Sequence, residues 1–163
     1  MAFPVSTTDN NLTGSFGPRK PIRLSNGGYS ASFHYGMDLA PETRGAYNPV
    51  YAVKRGTVTY IGTKRDAGRE IRIFIPEWNV TVRYCHLSSF NNVSVGQAVE
   101  EAQFIGRMGA TGNVTGVHLH FEVYTDAALT QRVNPYKYIW FEKNPLDFEI
   151  NKKTANPLPT PPV

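Results

Sequence analysis

The 163-residue sequence contains a single cysteine, Cys85. An internal disulfide and any multi-cysteine metal site are therefore excluded, so a zinc or iron centre would have to use nitrogen and oxygen ligands. Long apolar runs are missing as well. Stretches such as Ile71–Ile75 fall far short of the roughly 20 residues that span a bilayer, so no membrane span is expected. Charge is sparse at 18% of residues, with seventeen Lys and Arg against thirteen Asp and Glu for a formal +4. The basic residues are dispersed, with no run beyond pairs such as Lys64-Arg65, and nucleic acid is a poor partner. The opening Met1-Ala-Phe-Pro-Val has neither a basic start nor an apolar stretch, so no secretory signal is expected. A His-Glu-x-x-His helix, the signature of glutamate-base zinc peptidases, is also missing.

Hydrophobic residues make up 40% of the chain, which rules out a disordered polymer, and the length suits one domain. Fourteen Gly and twelve Pro break the sequence every few residues. Runs rich in Val, Ile, Tyr and Phe lie between them, and few stretches have helical periodicity. The expectation is a mainly β, loop-rich single domain of antiparallel sheets with a substrate groove and little helix. Residues 50–53 and 57–61 flank Lys54-Arg55-Gly56 as a hairpin would. Residues 70–75 and 79–87 flank Pro76-Glu77-Trp78 in the same way. A third group turns at Gly96, continues through 104–108 and leads by the loop 109–113 into a strand at 117–124. Pro135 to Phe141 suits either a helical turn or a strand. The domain is placed at residues 1–150, with 151–163 a tail holding four prolines between Asn156 and Val163.

Four histidines carry the chemistry. In Val117-His-Leu-His-Phe-Glu-Val123, strand alternation puts His118, His120 and Glu122 on one face and Val117, Leu119, Phe121 and Val123 on the other. Two imidazoles whose Cα atoms lie roughly 6.5–7 Å apart can converge on one ion; a solvated polar face is the plain alternative. His34 and Asp38, in His34-Tyr-Gly-Met-Asp38, could also meet at a metal if Gly36 lets the backbone bend. The alternative there is a packed histidine and a turn-capping aspartate. Together His34, Asp38, His118 and His120 offer a zinc donor set without thiolate. Alternation puts His86 in phase with Val80, Val82 and Tyr84. A buried structural histidine and a base in a lined groove both fit. Cys85 falls on the opposite face, which disfavours a Cys-His nucleophilic dyad. Glu122 could orient a histidine or be solvated. Tyr29 could donate to an oxyanion or line a groove, although ordinary loop packing accounts for it more simply, and Asn113 sits where turn chemistry alone would put it.

At these residues the chain resembles the lysostaphin-type (LytM-like) zinc endopeptidases of bacterial peptidoglycan. The resemblance is carried by His34-Tyr-Gly-Met-Asp38, Pro49-Val-Tyr-Ala-Val-Lys-Arg-Gly-Thr-Val58, Tyr84-Cys-His-Leu87, Val93-Ser-Val-Gly-Gln-Ala-Val99, Ile105-Gly-Arg-Met-Gly-Ala-Thr-Gly112 and His118-Leu-His-Phe-Glu122, in that order. It runs from about residue 14 to 123, with Val133-Asn-Pro-Tyr-Lys-Tyr138 similar to the family's closing segment. It implies one zinc held by His34, Asp38 and His120, with His86 and His118 acting on a zinc-activated water that hydrolyses cross-link or stem-peptide bonds. Tyr29 and Asn113 become secondary candidates for substrate or oxyanion contact. The resemblance also implies a monomer acting on the cell wall, extracellular, periplasmic or phage-associated, and the modest positive charge suits a polyanionic wall. A non-catalytic wall- or partner-binding module of the same fold is the alternative. A carrier domain using Lys54 and a β-barrel iron enzyme fit less well.

Overall fold

The computed structural model describes residues 3–91 and 93–139. Among the described residues there are thirteen short strands: β1 (Asn10–Gly14), β2 (Gly17–Pro18), β3 (Phe33–His34), β4 (Met37–Pro41), β5 (Pro49–Tyr51), β6 (Gly56–Lys64), β7 (Gly68–Ile75), β8 (Val80–Leu87), β9 (Ser89–Phe90), β10 (Ala98–Val99), β11 (Phe104–Arg107), β12 (Leu119–Tyr124) and β13 (Arg132–Val133). All pairings are antiparallel. The large sheet has the order β1-β4-β12-β8-β7-β6-β10, with β13 added at β12, and β5-β11-β9 form a second sheet. β2 and β3 form a two-stranded ribbon. The only helical element among the described residues is a 3-10 turn, Pro135–Lys137, whose Asn134 side chain accepts from the Tyr136 N–H. The mainly β, single-domain expectation holds. The domain boundary at 150 and the proline-rich tail lie outside the described residues.

Alternation builds the core. Leu119, Phe121 and Val123 of β12, Leu39 of β4, Ile71 and Ile73 of β7, and Val82 and Tyr84 of β8 are all buried on one face of the large sheet. Each such side chain contributes roughly 1.5–3 kcal/mol by leaving water. Val50, Ile105 and Met108 join the same cluster from the second sheet and its flanks. Tyr84 packs edge-on against Phe121 with ring centroids 5.1 Å apart, and its hydroxyl accepts a 3.1 Å hydrogen bond from the Val53 N–H. The opposite face of the sheet carries charge. Glu70 is fully buried and bound by Arg72 and Arg83, and Arg83 reaches Glu122 at 3.1 Å. These carboxylates tolerate burial because each is paired and hydrogen-bonded.

One expectation fails here. Residues 50–53 and 57–61 do not form a hairpin: β5 pairs with β11, whereas β6 pairs with β7 and β10. Lys54-Arg55-Gly56 is a crossing between sheets, and the Lys54 ammonium is held 3.3 and 3.4 Å from Glu77 and Glu101, which disposes of an exposed attachment lysine. The expected hairpin of β7 and β8 is present.

Candidate active site

Three side chains meet at one point. Cross-strand register puts His120 of β12 directly opposite Asp38 of β4, and the ribbon delivers buried His34 from β3. His34 Nε2 lies 3.1 Å from His120 Nδ1 and 3.1 Å from Asp38 Oδ2, and His120 Nδ1 lies 2.8 Å from Asp38 Oδ1. Gly36 makes the convergence possible, though not by bending. Its φ lies outside the left-handed region, but a Cβ there would sit 2.6 Å from the Phe121 carbonyl oxygen and 2.7 Å from His120 Cε1. No side chain fits at that position.

The remaining nitrogens define what the histidines can do. His34 Nδ1 donates to the Ser15 carbonyl at 2.8 Å, and a carbonyl only accepts, so Nε2 keeps its lone pair. His86 Nδ1 donates likewise to Thr111 O at 2.8 Å, and His118 Nδ1 to Gly116 O at 2.9 Å. His120 Nε2 is committed to Glu122 Oε1 at 3.0 Å. Three acceptors, His34 Nε2, Asp38 carboxylate and His120 Nδ1, therefore face one another, an arrangement that a shared cation stabilises. In the metal-free protein that cation is a proton. Burial alone would lower the pKa of His120, but hydrogen bonds and charge from Asp38 and Glu122 outweigh it and carry it to about 9. Burial likewise works against Asp38, but its contacts with His120 and His34 hold it well below the ordinary carboxylate value. Glu122, pushed up by burial, is drawn down to about 2 by His120, Tyr124 and Arg83. With 4% of its surface exposed, it is an orienting group and not a solvated one.

His86 reaches the same point by a backbone irregularity. Cys85 and His86 together oppose Glu70 of β7, a bulge, and His86 has φ 64°. Regular alternation would have turned its ring to the apolar face beside Tyr84. The bulge turns it into the groove instead, with its ring centroid 4.8 Å from His118 and 6.0 Å from His120. The 109–113 loop locks it there. The Thr111 hydroxyl donates to Leu87 O at 2.8 Å and accepts the Arg69 N–H at 3.0 Å, which fixes the Thr111 carbonyl that receives His86 Nδ1–H. Burial, with His118 and His120 nearby, lowers the pKa of His86 to about 3 and keeps it neutral. His118 precedes β12 on an isolated bridge to Gly109, its Nε2 3.8 Å from Asp38 Oδ1.

All five histidine and aspartate candidates line one groove, walled by residues 13–20 and 113–118. Asn113 lines it too. Its Oδ1 accepts from Ser25 Oγ at 3.1 Å and from the Asn26 N–H at 3.3 Å, tying down the 25–26 turn. Tyr29 is 70% exposed and is not among the groove residues, so the structure does not bring it to the site. The Ser15 and Thr111 carbonyls are invisible in the sequence, because backbone acceptors leave no mark in residue type. Arg19, inside Pro18-Arg-Lys-Pro21, stands in none of the sequence motifs.

The family model described as peptidase family M23 matches residues 32–135. Over 101 residues the chain is 36% identical to the glycyl-glycine endopeptidase ALE-1 of Staphylococcus capitis, covering 61% of this chain and 27% of that protein. Over 123 residues it is 35% identical to the peptidoglycan DD-endopeptidase ShyB of Vibrio cholerae, covering 74% and 26%. The chain thus spans about a quarter of the length of these curated relatives. A crystal structure of a zinc-containing peptidase from Vibrio cholerae superposes with a TM-score of 0.65 at 31% identity, covering 81% of this chain and 37% of the other.

Proposed function

Since the chain belongs to peptidase family M23, we propose that it is a zinc-dependent endopeptidase that hydrolyses peptide bonds in the cross-links or stem peptides of bacterial peptidoglycan. The observation that carries this reading is the set of three mutually facing acceptors, His34 Nε2, Asp38 carboxylate and His120 Nδ1, all within 3.1 Å. Two imidazoles and a carboxylate are a zinc donor set, and three protein ligands leave a position open, as catalytic sites do. Each ring is already oriented by an oxygen on its far nitrogen, as metal-binding histidines usually are. A zinc ion bound there supplies Lewis acidity, drawing the pKa of water towards about 7 and polarising a carbonyl.

The chain's own residues do the rest. His86, neutral and anchored through Nδ1, presents a bare Nε2 that can take a proton from an attacking water. His118, anchored in the same way, presents its own Nε2 across the groove, where it can accept a hydrogen bond from the attacking water or from the N–H of the departing amine. The groove walls hold an extended peptide between them, and Glu122 keeps His120 in the tautomer that leaves Nδ1 free. Acting on the wall puts the protein outside the cytoplasmic membrane or in a phage particle; among the described residues no helix is long and apolar enough to cross a membrane. Purified protein should clear a suspension of bacterial walls, stop on chelation and resume with zinc. Clearing that persists in His120→Ala refutes the reading, and binding to walls with no cleavage by the zinc-loaded protein makes it a binding module.

A further inference from the structure

Arg19 stands on the groove wall beside the three-residue cluster, in the stretch between β2 and β3. Its backbone is fixed by a 2.8 Å hydrogen bond from its N–H to Ser32 O. Its side chain is largely sheltered, at 28% exposure, yet its guanidinium makes only a long charge contact among the described residues. Nε is out of solvent with no hydrogen-bond partner among the described residues. The charge contact it makes, Nη1 to Asp38 Oδ2 at 3.7 Å, exceeds hydrogen-bonding distance, and that oxygen already faces His34 Nε2 at 3.1 Å. Ser15 Oγ, on the same wall, is also buried, with no hydrogen-bond partner among the described residues. The contrast with the structural arginines is sharp. Arg72 and Arg83 both clasp Glu70, and Arg83 clasps Glu122 as well. A sheltered guanidinium with unmade hydrogen bonds costs stability, and a carboxylate is the partner its planar fork matches with two parallel bonds.

We propose that Arg19 clamps a free carboxylate of the substrate, carried by the residue on the amine side of the scissile bond. The inference rests on the peptidoglycan reading and narrows its substrate class. Arg19 Nη1 is 3.7 Å from a member of the proposed metal set, so the clamped group belongs to a residue flanking the bond that is cut. When two stem peptides are joined directly through a diamino acid, the carbon bearing the scissile nitrogen can also bear a free carboxylate. In a glycine bridge the equivalent carbon continues into the next amide and carries no charge. Lys20, on the same wall, adds to the positive potential. Arg19 therefore selects direct cross-links with a carboxylate next to the cut over neutral glycine bridges.

The test uses the full chain, zinc-loaded, on a directly cross-linked peptide dimer and on the same dimer with that one carboxylate amidated. We expect kcat/KM to be at least tenfold lower for the amide, and Arg19→Met, checked for zinc content and melting temperature, to bring the ratio close to one. A second arm needs no metal. In the chelated protein, N-acetyl-D-alanyl-D-alanine should shift an arginine Nε–Hε NMR signal that is missing from Arg19→Met, and its C-terminal amide should not. Equal cleavage of acid and amide by the unmodified protein, or equal shifts from both probes, overturns the clamp and leaves the endopeptidase standing. If neither dimer nor a pentaglycine peptide is cut, the enzymatic reading fails, and the NMR arm still decides whether Arg19 binds a carboxylate.

Discussion

Replacing Gly36 by alanine adds one methyl group and should dismantle the candidate metal site. The backbone at this position is not left-handed, so alanine meets no conformational penalty and the whole effect is spatial. The new Cβ would stand 2.6 Å from the Phe121 carbonyl oxygen, 2.7 Å from His120 Cε1 and 2.8 Å from His120 Nε2. Ordinary contact begins near 3.4 Å, so the ring has to retreat by about 0.7 Å, whereas metal–ligand distances tolerate about 0.2 Å. The carbonyl belongs to β12, paired on both sides, and cannot yield instead. The same displacement strains the 3.0 Å bond to Glu122. Overpacking should cost roughly 1–3 kcal/mol of stability. Zinc affinity should fall by about 100-fold or more, the upper end of what loss of an orienting partner alone does. Chelator competition measures the affinity, and circular dichroism with thermal melting checks that the fold survives. Gly36→Ala binding zinc as tightly as the parent would refute the reasoning.

The other predictions concern the groups around that site. Glu122→Gln keeps shape but removes the charge that holds His120, and zinc affinity should drop roughly 10- to 100-fold, as read by the same competition assay; an unchanged value contradicts the orienting role. In metal-free protein the His120 pKa is raised from 6.5 to about 9. Its contribution to stability is therefore full below pH about 6.5 and is lost as pH rises through about 9. Melting temperatures across that range should fall, and apparent zinc affinity should weaken about tenfold for each pH unit below 9 as the proton competes. His86→Ala and His118→Ala should each retain one zinc per chain and lose roughly 100-fold or more in hydrolysis; loss of zinc by either would reassign that residue to the metal. Thr111→Val removes two hydrogen bonds that fix the carbonyl under His86. It should lower the melting temperature, by about 1–2 kcal/mol of stability, and reduce turnover with zinc content intact.

Strand alternation was the most readable feature of the sequence. In β12 the period of two correctly separated Leu119, Phe121 and Val123 from His120 and Glu122, because one face is core and the other carries the charged cluster. The β7–β8 hairpin was also legible, since short turns between strands are local events. Where pairing is non-local the signal disappears. Lys54-Arg55-Gly56 looks like a hairpin turn, yet Pro49–Tyr51 pairs with a strand more than 50 residues later, and turn composition says nothing about that partner. His86 shows the other limit. Its phase was right for a regular strand, but a bulge and a positive φ re-aim the ring, and neither is encoded by residue type at a histidine. Gly36 was noticed for flexibility and turns out to matter for space. Tyr29 stands close to His34 in sequence, yet it is exposed and not among the residues that line the groove. Arg19 carries no sign in its neighbours, because what marks it, a buried Nε with no hydrogen-bond partner among the described residues, exists only in three dimensions.

One zinc, held by His34, Asp38 and His120, is proposed to enable this chain to open peptide bonds of the bacterial wall. Titrating zinc into the chelated protein while counting new amino groups released from purified peptidoglycan tests it most directly. Release should rise linearly and saturate at one equivalent of zinc per chain, with none from Asp38→Asn. Release that is independent of zinc, or undiminished in Asp38→Asn, would contradict it.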